Sequence, residues 1–242
     1  MQVRKFVGDA SIYRIKKLLK EVVRKLIFLL HKYTYPLVNI IDYNGKTLLD
    51  AGCGTGNPAR LLQLRSRFFS VGVDVFRQNL LLAKKERTYR EYLLADVRYL
   101  PFKRRTFDII LCLQVIEHLP KKEATNLVTH IEALARRQVV ITTPIGFLPQ
   151  KATDNPYDIH ISGFTPNEFL YRGYKIKKIG ITKFYAQEGI AFKKSSSLLS
   201  SFLYAIEPLF NLFFIFIPRG THYFIAFKNL KEQSDRSFNS LF

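Results

Sequence analysis

Apolar residues recur at steps of three and four from Ser11 to Tyr35, at Ile12, Ile15, Leu19, Val22, Leu26 and Leu30, while Lys17, Lys20, Arg24 and Lys25 fall largely on the other side. That spacing predicts an amphipathic helix with an apolar face and a basic back, capped at Ser11 and stopped at Pro36. Phe28 is an imperfection on its polar side. From Lys46 the pattern changes to short apolar runs alternating with helical stretches. Strands are predicted at Lys46–Asp50, Phe69–Asp74, Tyr92–Leu94, Phe107–Leu113 and Gln138–Thr142, with helices at Pro58–Leu64, Arg77–Lys85 and Lys122–Leu134. Such alternation predicts parallel strands joined by right-handed helical crossovers, with any ligand at the carboxyl ends of the strands.

Past Pro144-Ile145-Gly146 the run Phe147–Phe164 reads as a loop over that site. Thr165-Pro166-Asn167-Glu168 reads as a helix start with a capping box, and Gly173-Tyr174 as its end. Tyr174–Tyr185 and His222–Lys228 read as two further strands. Between them, residues 195–218 are strongly apolar but broken near the middle by Glu207-Pro208 and Asn211. A membrane span needs about 20 apolar residues, so two short helices packing as lid, core or dimer contact are preferred over interfacial insertion, and both over a true span. The chain divides into a basic helical extension (1–44), one α/β domain (45–230) and a polar tail (231–242).

The segment Leu48-Leu49-Asp50-Ala51-Gly52-Cys53-Gly54-Thr55-Gly56 carries the chemistry. An apolar strand runs into an acid and then three glycines at alternate positions, a turn open to close ligand approach, with Asn57 expected to cap the next helix and Pro58 at its first turn. A dinucleotide turn needs G-x-G-x-x-G, whereas this one is G-x-G-x-G. Asp50 would also repel a pyrophosphate and suits a cationic ligand. Val71-Gly72-Val73-Asp74 ends the next strand in an acid at the distance expected of a ribose-binding carboxylate. Leu93-Leu94-Ala95-Asp96 repeats the arrangement, and Gln114-Val115-Ile116-Glu117-His118-Leu119-Pro120 follows another buried strand. Singly, the glycines can serve a plain turn, Asp74 or Asp96 a helix cap, and Glu117 or His118 a strand end.

Taken together, these segments resemble the class I S-adenosylmethionine-dependent methyltransferases, in particular the type 11-like domain, closely over Lys46–Gly146 and more loosely to about residue 230. The resemblance implies a Rossmann-like, doubly wound sheet, mostly parallel with an antiparallel edge strand, carrying the N-terminal amphipathic helix and the apolar helical insertion before the last strand. It implies S-adenosyl-L-methionine as cofactor and S-adenosyl-L-homocysteine as product. Asp50, Gly52, Cys53, Gly54, Gly56, Asp74, Val75, Asp96, Val97 and Gln114 would bind it, Asp96 through the adenine amino group. No catalytic residue is fixed; His118 and His160 are the candidates, each with a plain loop hydrogen bond as the blander reading. There is no Asn-Pro-Pro-Tyr-type strand end of the kind that marks amine methylation in similar enzymes.

Charge widens the choice of partner. At 242 residues and a net charge of +19, the chain is long enough for one large domain and is attracted to anything anionic: nucleic acid, a membrane surface or an acidic substrate. Cys53 and Cys112 have neither disulfide nor metal-ligand spacing, so no metal is expected and a reducing, cytoplasmic setting is, with the membrane periphery open to it. No signal peptide is apparent. The leading expectation is methyl transfer to a small or lipid-like acceptor, with Lys16, Lys17, Lys177 and Lys178 suiting anionic headgroups. An RNA methyltransferase using the basic surface, and a non-catalytic cofactor-binding or membrane-associated scaffold, remain as alternatives.

Overall fold

The computed structural model describes residues 34–150, 154–180 and 221–230. Residues 1–33, where the amphipathic helix is expected (with Lys16 and Lys17), the apolar segment 195–218 and the tail 231–242 lie outside the described residues. Among those described, no helix is long and apolar enough to cross a membrane.

A seven-stranded sheet forms the frame. Its strands are β1 (Thr47–Ala51), β2 (Phe69–Asp74), β3 (Glu91–Leu94), β4 (Phe107–Leu113), β5 (Ala135–Pro144), β6 (Lys175–Gly180) and β7 (Thr221–Asn229), in the spatial order β3-β2-β1-β4-β5-β7-β6. The first five pair in parallel. β7 runs antiparallel to both β5 and the edge strand β6. The helices are α1 (Thr34–Ile40), α2 (Asn57–Arg65), α3 (Arg77–Lys85), α4 (Lys121–Leu134) and α5 (Pro166–Tyr171). From β1 the chain winds outward through β2 and β3, then returns to lay β4 on the other side of β1. That reversal leaves a crevice at the carboxyl ends of β1 and β4, where ligands of such sheets bind.

Alternation along the strands builds two cores. Leu48, Ile109 and Leu111 face α1, α2 and α3, packing with Leu37, Leu62 and Leu80. Leu49, Ile110 and Cys112 face the other way, onto α4 and α5, with Leu127, Ile131 and Phe169. Both faces of the parallel strands are therefore apolar, as a sheet covered by helices on each side requires.

Three local expectations change. Pro36 does not stop a helix; it lies in the first turn of α1, where its missing N–H costs nothing. Leu37, Val38 and Ile41 are buried with α2, so the last part of residues 1–44 packs as part of the domain. Asn57 is not the cap of α2. Gly56 holds that position at φ 80°, and the Asn57 side chain instead accepts a hydrogen bond from Arg60 at 2.7 Å. β5 begins three residues earlier than the apolar run, directly where α4 ends. Its buried Gln138 donates to the Ile40 carbonyl and to Asn229, and accepts from Asp42 N, tying α1 and β7 to the sheet. The capping box of α5 forms between Thr165 and Glu168.

Candidate active site

The turn after β1 is hung from the end of β2. Gly52 N and Cys53 N both donate to the Val73 carbonyl at 2.8 Å. Gly52, Gly54 and Gly56 all take positive φ, at 76°, 52° and 80°, a conformation that side-chain-bearing residues seldom adopt. A Cβ on Gly52 would also lie 2.3 Å from Val115 Cγ2, so the turn packs directly on the connection after β4. Asp74 locks the arrangement, one carboxyl oxygen accepting from Gly54 N at 2.7 Å and the other from Phe76 N at 2.8 Å. Burial raises its pKa, and these main-chain donors draw it partly back.

Asp50 lies deeper, 2% exposed. Its carboxyl accepts a 2.6 Å hydrogen bond from Tyr89 Oη. Tyr89 reaches it across β2 because Gly72 leaves the space; a Cβ there would sit 2.5 Å from the tyrosine ring. Burial pushes the Asp50 pKa up to about 7, against the lowering effect of that hydrogen bond. The Cys53 and Cys112 thiols are free, buried and pushed up by the same loss of solvent, so neither is a ready nucleophile.

Above the turn a cleft of about 700 Å³ opens between the ends of β1 and β4. Asp96, just beyond β3, reaches it half-buried, and its carboxylate is gripped by Arg98, whose Nε lies 3.0 and 2.9 Å from the two oxygens. Hydrogen bonding to Arg98 holds its pKa below the usual carboxylate value. Gln114 closes β4 in the left-handed region, φ 56°, its N–H donating to the Thr142 carbonyl at 2.9 Å.

The opposite wall comes from the loop before α5. Ile161 N and Ser162 N donate to the Glu117 carbonyl at 2.9 and 3.1 Å, and Ser162 Oγ donates to the Ile116 carbonyl. That staple sets His160 beside His118, ring centroids 4.8 Å apart. His118 Nδ1 lies 3.1 Å from the Ile159 carbonyl and His160 Nδ1 lies 2.6 Å from that of Leu148. Burial lowers the His118 pKa. Glu117 is 1% exposed, and neither of its carboxyl oxygens has a hydrogen-bond partner among the described residues. Burial pushes its pKa to about 8; the Thr143 hydroxyl eases the shift without meeting it in hydrogen-bond geometry.

Residues 49–140 match the family model described as a methyltransferase domain. The fold agrees with that of an S-adenosylmethionine-dependent methyltransferase from Archaeoglobus fulgidus, at a TM-score of 0.57 and 16% identity over 86% of this chain and 94% of that one. Residues 49–140 are thus similar to a methyltransferase domain, and the fold around them is that of the class I methyltransferases. An uncharacterized protein of Methanocaldococcus jannaschii is 28% identical over 129 residues, 53% of this chain and 55% of its own length. A ubiquinone biosynthesis O-methyltransferase of Neisseria meningitidis is 30% identical over 91 residues, 34% of this chain and 37% of its own length. The chain thus spans between about a third and just over half of these relatives.

Within this domain, Asp50, Gly52, Cys53, Gly54, Gly56, Asp74, Val75, Asp96, Val97 and Gln114 all line the one cleft. Both the binding and the capping readings of Asp96 have a place in the structure, since it also accepts from Arg98 N to cap the short 3-10 turn Val97–Tyr99. His118 lines the cleft too, whereas His160 stands behind it and does not. Lys177 and Lys178 are exposed on β6, separated from β4 by β5 and β7, and take no part in the lining. Sequence reasoning missed Tyr89, which holds Asp50, and Asn79, which bonds Asp74. The cleft wall Asn155–Ile161 falls within the run Phe147–Phe164 that the sequence reads as a loop over the site.

Proposed function

We propose that the domain binds S-adenosylmethionine in this cleft and transfers its methyl group to a small, largely apolar acceptor. One observation carries the reading: the local charge of the cleft opposes that of the chain. In a protein of net charge +19, the aspartate, glutamate, lysine, arginine and histidine side chains lining the cleft are four aspartates, one arginine and one histidine. The arginine is already bound to Asp96. Such a cleft favours a ligand carrying positive charge, as the sulfonium and ammonium of S-adenosylmethionine do. The glycine turn brings main chain against the ligand, Asp74 offers a carboxylate to the ribose hydroxyls, and Asp96 offers one to the adenine amino group.

A sulfonium is a reactive methyl donor, so the protein need mainly align the acceptor with it and remove a proton where the acceptor loses one. The acceptor wall suits an apolar body: Tyr157, Ile159 and Ile161 are 52%, 40% and 53% exposed while lining the cleft. His118, Asn155 and Asp158 are the polar groups at that wall, and His160 supports His118 from behind. The relative named for ubiquinone biosynthesis agrees with an acceptor of this kind. Incubating the purified chain with methyl-labelled cofactor and an extract of its own cells should place label in the organic-soluble or small-molecule fraction. Label in RNA, with binding that weakens steeply in salt, would favour the basic surface as the acceptor site instead. Cofactor binding with no transfer to any fraction would favour a scaffold.

A further inference from the structure

Glu117, His118 and His160 bring three potential ligand atoms within 4.8 Å of one another, and holding a methyl donor uses none of them. Glu117 is the anomaly. A carboxyl group taken out of water normally has partners, because losing hydration without replacement is costly. Here it is 1% exposed with both oxygens unpartnered among the described residues. The two imidazoles are held in a way that suits ligation. Each directs Nδ1 at a main-chain carbonyl, that of Ile159 for His118 and of Leu148 for His160. A carbonyl can only accept, so it fixes the ring proton of His160 on Nδ1 and leaves Nε2 with the lone pair; His118 also meets the Gln114 carbonyl, a contact that ion binding would replace, and metal-bound histidines are oriented by the same kind of outer contact. The loop is pinned too, by the two hydrogen bonds from Ile161 N and Ser162 N to the Glu117 carbonyl.

We propose that Glu117, His118 and His160 form a binding site for a single divalent transition-metal ion, with zinc the best match. Two imidazoles and one carboxylate suit ions of intermediate softness, whereas magnesium and calcium favour sites made of oxygen alone. Bonds of about 2.0–2.2 Å bring ligand atoms to about 3.4 Å from one another in a tetrahedral site, so binding draws the present trio inward by at most about 1.5 Å. His118 lines the cleft and the other two lie behind it, so the ion's fourth position would face the acceptor end. No metal is expected from the cysteines; these ligands come instead from two segments that only folding brings together.

The inference stands apart from methyl transfer, because ion binding is read without cofactor or acceptor. The full chain, stripped with a chelator, is titrated with Zn²⁺ by calorimetry and with Co²⁺ by visible absorbance. One equivalent should bind, raise the melting temperature and, for cobalt, give ligand-field bands, with no competition from millimolar Mg²⁺. Glu117→Gln and His160→Ala should each weaken binding at least about tenfold. Circular dichroism identifies a variant that has not folded, and the other then decides the result. Absence of saturable Zn²⁺ and Co²⁺ binding, effective competition by Mg²⁺, or binding unchanged in the folded variants would overturn the site.

Discussion

The turn after β1 and the loop segment Asn155–Ile161 face each other across one cleft, and they are held by different means. The turn is built from neighbours in a continuous parallel sheet: its amides hang from Val73 and Asp74 at the end of β2, and its first glycine packs on Val115 after β4. Its side chains are few and its acids are fixed. The loop reaches the cleft by a staple onto Glu117 and Ile116, and it presents Tyr157, Ile159 and Ile161 together with Asn155 and Asp158, while its His160 stands behind His118. A site that must recognise one constant donor and an acceptor particular to each enzyme is served by this division. On the proposed reading the sheet would carry the donor end and the loop the other.

If that division holds, damage at the donor end should abolish cofactor binding, while damage at the acceptor wall should spare it. Gly52→Val should have the largest effect, because a side chain there meets both a positive φ and Val115; cofactor affinity measured by calorimetry should fall more than about 100-fold, with a lowered melting temperature. Next comes pH. With its pKa raised to about 7, Asp50 is largely protonated at pH 6, and a cationic ligand favours its ionised form. Affinity should therefore rise about tenfold from pH 6 to pH 8 and level off above, and Asp50→Asn should flatten that profile. The sign for stability is opposite: the ligand-free protein gains most from this group below about pH 4 and loses that gain as pH rises through 7. Asp50→Asn should accordingly narrow the fall in melting temperature between acid and neutral pH.

Smaller effects sharpen the comparison. Tyr89→Phe removes the donor to a buried carboxyl, so it should cost about 1–3 kcal/mol in urea unfolding and lower cofactor affinity only several-fold. Ile161→Ala, at the far wall, should change cofactor affinity less than about twofold while raising the acceptor KM. An equal loss of cofactor binding in Ile161→Ala and Gly52→Val would show that the two ends are not separable.

What could be read from the sequence follows the same line. β2, α3 and β4 have the boundaries their apolar periods predict, since each is decided by neighbours in the chain. That Asp50, Asp74, Asp96 and the glycine turn gather at one cleft was legible, because strand, acid and glycine turn are local patterns. Tyr89 was not: it meets Asp50 from 39 positions away, and only the absence of a side chain at Gly72 lets it pass. The start of β5 was hidden by Arg136 and Arg137, polar residues that continue a strand without an apolar signal. The cluster of Glu117, His118 and His160 depends on Ile159 folding back on His118 across 41 positions, which no periodicity announces.

The most direct test is calorimetric titration of S-adenosylmethionine into the folded wild type and into Asp74→Asn at pH 7.5. Asparagine keeps an acceptor for Gly54 N but removes the charge and one of the two carboxyl oxygens. One site in the wild type, weakened at least about tenfold in the variant, is the expected result. No binding to the folded wild type, or equal affinity in both proteins, would contradict an acid-lined donor site at the end of β1.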